Sequence, residues 1–224
     1  MRKISYILIV LGIGIALYPK LAGWYSDYRQ EKLLEEIERK EAGHGQPFNS
    51  DQAGLVSGFI QMSRLLEEID EEPEQHETQS ADTQDIDDET GIGTIIIDAI
   101  DLKLPILEGA TKQNLKHAAA HMSETAPIGQ TGNAAIAAHR SRTTGKLFNR
   151  LDEVDVGDEI IVRSQGQKYV YSVYDITVVK PTDVSVLESD GLDSILTLIT
   201  CEPLVNPTHR LIVHAKQEST DSTR

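Results

Sequence analysis

From residue 92 onward the apolar positions recur with the short periods of strands. IGTIIIDAI (92–100) and DLKLPIL (101–107) read as two strands around an Asp turn. GATKQNLKHAAAHM (109–122) has the alanines and the Thr-led start of a helix. GNAAIAAHR (132–140) is an apolar strand ending in polar residues, and TTGKLFNRLDEV (143–154) a short helix or turn. GDEIIVRSQ (157–165) is a further strand. QKYVYSVYDITVVKP (167–181) alternates for so long that it is one bent strand or two. SILTLITC (194–201) and HRLIVHAKQ (209–217) complete the set. Many short strands at regular spacing, with only short helices, predict a mostly β domain over 90–217, a closed barrel or a sandwich. A polar tail, 218–224, follows.

Upstream the period changes. YRQEKLLEEIERKE (28–41) carries Leu33, Leu34 and Ile37 on one side of a helix and charges on the other, as a stalk would. A weaker helical pattern covers 55–69. The first residues differ again: Arg2 and Lys3 precede an apolar run from Ile4 to Leu17, flanked by Tyr18, Leu21, Trp24, Tyr25 and Tyr28. That approaches the ~20 residues of a membrane span. The basic residues favour a cytoplasmic N-terminus, and the aromatics resemble an interfacial belt. A cleaved signal peptide is the rival, but Tyr18, Pro19 and Lys20 follow the run where a small-residue cleavage site belongs. An uncleaved anchor over 1–27 is favoured over both this and a buried core helix.

Composition refines the picture. The chain has 224 residues, 39% hydrophobic and 25% charged, with room for one ordinary domain and extras. Its net charge is −15, yet Glu67 to Glu89 alone holds twelve Asp or Glu and no Lys or Arg. The acidity therefore belongs mostly to a spacer, so 28–89 reads as a helical stalk followed by an acidic flexible linker. A role in binding cations or repelling an anionic wall polymer is weighed against a plain solvated spacer, which is favoured. An acidic surface repels phosphate backbones, which argues against nucleic acid as a partner.

Cys201 is the single cysteine, so it is packing, an intermolecular link or a reactive thiol. It ends one strand, and Arg210 opens the next after EPLVNPT. His139 ends another apolar strand. A thiolate attacks acyl carbon, an imidazolium stabilises the thiolate and protonates a leaving amine, and a guanidinium donates to an oxyanion.

Residues 92–216 resemble the sortases, cysteine transpeptidases of the Gram-positive surface. TLITC (197–201) matches their Thr-Leu-x-Thr-Cys signature, and AAHR (137–140) and HRLIV (209–213) occur in the family's order. AAAHMSETAPIGQTGN (118–133) resembles the helix and connecting loop before the histidine strand. The resemblance implies an eight-stranded sortase-type β-barrel preceded by an N-terminal membrane-anchor helix, with the catalytic domain extracellular. It implies that Cys201 is the nucleophile and that His139 is the general acid and later base. Arg210 would steady peptide and oxyanion, and Thr200 and the Glu202 amide would shape the oxyanion hole. The implied partners are surface proteins with LPXTG-like or LPXTA-like signals and the amine of a peptidoglycan precursor, lipid II. No cofactor or metal is needed for that chemistry. The strand after Tyr174 and the loop 181–193 would form one wall of the peptide groove.

The pilus-building (class C) kind carries an Asp-Pro-aromatic lid and a C-terminal span. Here GQPFN (45–49) has Gln46 in place of the acid, and the C-terminus is polar. AAHRSRTTGKLFNRLDEVDVGDEI (137–160) is most similar to class D. A hydrolase releasing the cleaved protein, and a binding module with an inert thiol, are the competing functions. Of the remaining polar residues, His117 and His121 have an i, i+4 spacing that zinc uses, without an evident third ligand, and a structural or surface role is favoured over a metal site. His209 is expected to point away from the site and His214 to be exposed. Arg140 and Arg142 read as solvated loop positions. Asp152, Glu153, Asp155 and Asp158 read as a solvated turn in preference to a calcium cluster.

Overall fold

The computed structural model of the chain describes residues 31–34, 52–71 and 91–218. The membrane-anchor expectation for 1–27 lies outside these residues. Among them no helix is long and apolar enough to cross a membrane.

Eight strands close into one barrel. They are β1 (Gly91–Ile97), β2 (Leu102–Glu108), β3 (Ala119–His121), β4 (Gly132–Ala137), β5 (Glu159–Ser164), β6 (Gln167–Val179), β7 (Ser194–Glu202) and β8 (His209–Gln217). The hydrogen-bonded order is β1-β2-β3-β4-β7-β8-β6-β5, and β5 returns to β1. The β2–β3 and β4–β7 pairs are parallel and the rest antiparallel. Inward residues of alternating register, among them Ile95, Ile97, Leu104, Ile106, Ile136, Leu198 and Val213, fill the barrel. Closure is tight at β1–β5: a Cβ on Gly93 would stand 2.4 Å from the Arg163 carbonyl oxygen, so glycine is required there.

The long alternating segment is one strand, β6, bent at a register shift between Val173 and Asp175. Residues 109–122 depart from the expected helix. Only Lys112–His117 is helical (α2), capped by the Thr111 hydroxyl, which accepts from Asn114 N. The chain then straightens into β3, because Ala119–His121 are needed to bridge β2 and β4. His117 and His121 therefore do not share a helix, and the zinc spacing is not realised. His121 is buried instead against Glu108, with Nδ1 3.1 Å from Oε2, and its Nε2 lies 3.0 Å from the Ala126 carbonyl.

Helix α1 spans Gln52–Glu71, beyond both ends of the weak pattern at 55–69. Its C-terminal turns take up Glu67, Glu68 and Asp70, which composition had assigned to the flexible linker. Phe59, Met62, Leu66 and Ile69 recur at helical spacing and are buried. They pack on the outer face of the barrel with Ala135, Ala137, Ile199, Ile212, Val186 and Leu187. Covering that face explains why β7 is buried at every position from Leu196 to Cys201 instead of alternating. Residues 31–34 are helical too, and Leu33 is buried against Leu107 and Ala118.

Candidate active site

Cys201 and Arg210 are directly opposed in the antiparallel β7–β8 register. Opposed residues project to the same face of a sheet, with Cβ atoms ~5 Å apart. The shared face is the outer one, because Ile199 and Ile212 belong to the outer cluster while Leu198 and Leu211 belong to the inner. On the other side of β7, β4 runs parallel, with Ala137 level with Ile199. Continuing that register by two residues sets His139 level with Cys201. The His139 backbone is held on both sides: its N–H donates to Leu115 O at 3.3 Å, and its carbonyl accepts from Phe148 N at 3.2 Å. The thiol and guanidinium singled out by the sequence thus share one face at the end of β7–β8, and the His139 backbone lies two residues past the end of the neighbouring β4.

Thr200 falls on the inner register, and its hydroxyl donates to Ala138 O at 2.8 Å. It braces β4 against β7 beside His139, and its side chain is directed away from the thiol. Glu202 ends β7 opposite His209. Its carboxylate binds Arg140, which is only 5% exposed. Arg140 is not the solvated loop residue expected: its donors reach Glu202, Asp152 and the carbonyls of Cys201 and Asn149. Arg142 is half-exposed and faces Asp70 at 3.7 Å. The acidic turn is equally well partnered: Asp152 pairs with Arg140, Glu153 with Arg150, and Asp158 accepts from Asp155 N. His214 is not exposed as expected. It is half-buried, and its Nε2 lies 3.0 Å from Val186 O.

The 3-10 turn Val184–Leu187, within the loop 181–193, borders this face. Asn133 holds it, donating to Val186 O at 3.1 Å and Glu188 O at 3.3 Å while accepting from the Thr197 hydroxyl at 2.7 Å.

Helix α1 closes the face from above, a role the sequence did not reveal. Its residues Phe59, Met62, Leu66 and Ile69 share the buried cluster with Cys201, which is 2% exposed. Arg210 is fully buried beneath it and donates through Nη2 to Ser63 O at 2.6 Å and to Glu67 Oε1 at 2.8 Å. Its Nη1 donates to His209 O at 2.8 Å, and its Nε finds no partner among the described residues. Burial pushes the Cys201 thiol up to about 11; Arg210 and Arg140 oppose that shift, while Asp70 and Glu67 add to it. Under α1 the thiol is neutral at physiological pH.

The comparisons fit this arrangement. The family model for the sortase domain matches residues 95–218. Sortase A of Bacillus anthracis is 33% identical over 210 residues, covering 94% of this chain and 90% of that protein. The solved structure of a Clostridium perfringens Sortase D5 transpeptidase is 33% identical with a TM-score of 0.53, covering 57% of this chain and 79% of that one. Sortase C1 of Streptococcus agalactiae, solved in complex with MTSET, is 28% identical with a TM-score of 0.56, covering 78% of this chain and 93% of that one. An eight-stranded barrel with a lone cysteine at the end of β7, matched over most of its length, places the chain in the sortase family of cysteine transpeptidases.

Proposed function

We propose that this enzyme cleaves LPXTG-like or LPXTA-like sorting signals after Thr and transfers the surface protein to an amine of the cell-wall precursor lipid II. The observation that carries the reading is the opposition of Cys201 and Arg210 across β7–β8, with His139 two residues past the end of the neighbouring β4. The Cys201 thiolate attacks the Thr carbonyl carbon, and Arg210 donates hydrogen bonds to the oxygen as charge develops there. His139 gives a proton to the departing amine as the peptide bond breaks, leaving a thioester on Cys201. An incoming amine attacks the thioester, passes its proton to His139 and releases the thiolate. Thr200 contributes by bracing the strand that carries His139, and the Glu202 main-chain amide remains the proposed second oxyanion donor.

A neutral, covered thiol is a resting arrangement. When α1 withdraws, the thiol loses the burial and the Asp70 and Glu67 carboxylates that raise its pKa, while Arg210 and Arg140 continue to lower it. The signal peptide then takes the face that Phe59, Met62, Leu66 and Ile69 now occupy. The class D assignment rests on residues 137–160 and is supported by the likeness to Sortase D5. Residues 1–27 anchor the enzyme in the membrane with the barrel outside, as basic and aromatic flanks of that run favour.

The test is incubation of the full-length protein with LPXTG and LPXTA peptides, with and without triglycine, read by mass spectrometry. A triglycine-linked product supports transfer and names the preferred signal. Cleavage with water alone as acceptor makes the enzyme a hydrolase, and no cleavage of either peptide refutes the substrate class.

A further inference from the structure

Arg140 follows His139 directly, yet its side chain turns back to the strand that carries Cys201. Nη1 donates to the Cys201 carbonyl at 3.3 Å and binds the Glu202 carboxylate. Nη2 lies 2.8 Å from Asp152 Oδ2, and Nε donates to Asn149 O at 3.4 Å. A guanidinium only 5% exposed is thus engaged by two carboxylates and two carbonyls. Bonding of this kind fixes direction as well as charge, because the planar fork permits few orientations. One residue earlier, Thr200 donates to Ala138 O. Residues 138 and 140 are therefore both tied to residues 200 and 201, and His139 sits between the two ties.

We infer that Arg140 is a positioning residue, setting the His139 segment against the Cys201 strand end for proton transfer in the reaction proposed above. Glu202 and Asp152 hold its guanidinium in orientation. The inference rests on that functional reading for its consequence, although the contacts themselves do not. A shift of ~1 Å between reacting groups costs ~10²-fold in rate. The Arg140 charge also reaches the thiol, where it favours the thiolate.

The experiment compares Arg140→Met, Arg140→Lys and Glu202→Gln in the full-length protein. It measures kcat and KM for the cleaved sorting peptide, the pH profile of Cys201 alkylation by iodoacetamide, and the urea midpoint. Arg140→Met should lower kcat about 10²-fold with little change in KM, and move the alkylation profile to higher pH. Arg140→Lys should restore the alkylation profile, because the charge returns, without restoring kcat, because the fork does not. Glu202→Gln should lower kcat by less. A folded Arg140→Met protein with wild-type kcat and alkylation profile overturns the inference. If Arg140→Met does not fold, wild-type kcat in folded Arg140→Lys and Glu202→Gln overturns it. Should the wild-type protein turn over no peptide, the functional reading fails. The alkylation profiles then still decide whether Arg140 acts on Cys201, and profiles that coincide overturn the inference.

Discussion

Glu67 of α1 accepts a hydrogen bond from Arg210 of β8 at 2.8 Å, so the guanidinium proposed to face a peptide faces the enzyme's own helix. Glu67 is 42% exposed on its side chain, which limits this pair to ~1 kcal/mol after solvent screening. Glu67→Gln should therefore loosen α1 and speed Cys201 alkylation about fivefold at fixed pH. An unchanged alkylation rate would mean that the apolar face of α1 alone keeps the thiol covered.

The thiol carries a pH signature of its own. Its folded value of about 11 exceeds the ordinary 9.0, so the folded state holds this proton more tightly than the unfolded state. The stability linked to it is complete below about 9 and is lost as pH rises through about 11. Alkylation of the resting protein should follow that high value. A variant with α1 displaced, such as Phe59→Asp with Leu66→Asp, should titrate lower. Coinciding profiles, in folded protein, would contradict the account of burial as the leading cause.

Loss of the three proposed catalytic side chains should differ in degree. Cys201→Ala should abolish product formation. Arg210→Ala should lower kcat by about 10²–10³, the cost of an oxyanion donor. His139→Ala should cost about 10²–10⁴, the worth of general acid–base catalysis. Steady-state kinetics of the full-length variants check each value, and near wild-type turnover in Arg210→Ala would remove its assigned role.

Away from the site, Glu108 and His121 give an acid-side prediction. Burial alone would raise the Glu108 pKa, but the hydrogen bond and charge of His121, with the Ser123 hydroxyl, outweigh it and hold the group below its ordinary 4.5. The stability from this depressed value is present above about 4.5 and is lost as pH falls through the folded value. Urea midpoints of wild type and Glu108→Gln should differ at neutral pH and converge in acid. A constant difference across that range would show that the carboxylate charge is not involved.

Asn133 is expected to matter to the groove wall. Asn133→Ala would strand the Thr197 hydroxyl and two main-chain carbonyls, a buried loss of ~1–3 kcal/mol. A lower urea midpoint together with faster proteolysis near Val184–Leu187 is the expected outcome, and unaltered proteolysis would contradict the anchoring.

Much of the barrel was legible because strand periodicity depends on near neighbours. The run SILTLITC was legible as a strand, but not that both its faces are covered; α1 packs on the outer one at Ile199 and Cys201. The strand ends that carry Cys201 and Arg210 were legible in the apolar pattern, but the roles proposed for them and for His139 rest on the resemblance of TLITC, HRLIV and AAHR, which spacing alone does not supply. The helix over the site was not legible. Its apolar face at Phe59, Met62, Leu66 and Ile69 gave a signal, but the carboxylates from Glu67 onward resembled a solvated spacer, and the partners of Glu67, Glu68 and Asp70 are the distant Arg210, Lys112 and Arg142. Arg140 was misread for a related reason. A loop arginine looks solvated until the fold supplies Asp152, Glu202 and two carbonyls around it. The short β3 is set by the barrel's need for a bridging strand, against the helical preference of its alanines.

The most direct test of the central claim is to trap the covalent intermediate. Full-length protein mixed with an LPXTG or LPXTA peptide, without added amine, is quenched in acid and weighed intact. The account predicts a mass gain equal to the peptide fragment ending at Thr. That adduct should map to Cys201, be released by hydroxylamine, and be absent in Cys201→Ala. Product formation with no such adduct, or an adduct that persists in Cys201→Ala, would contradict it.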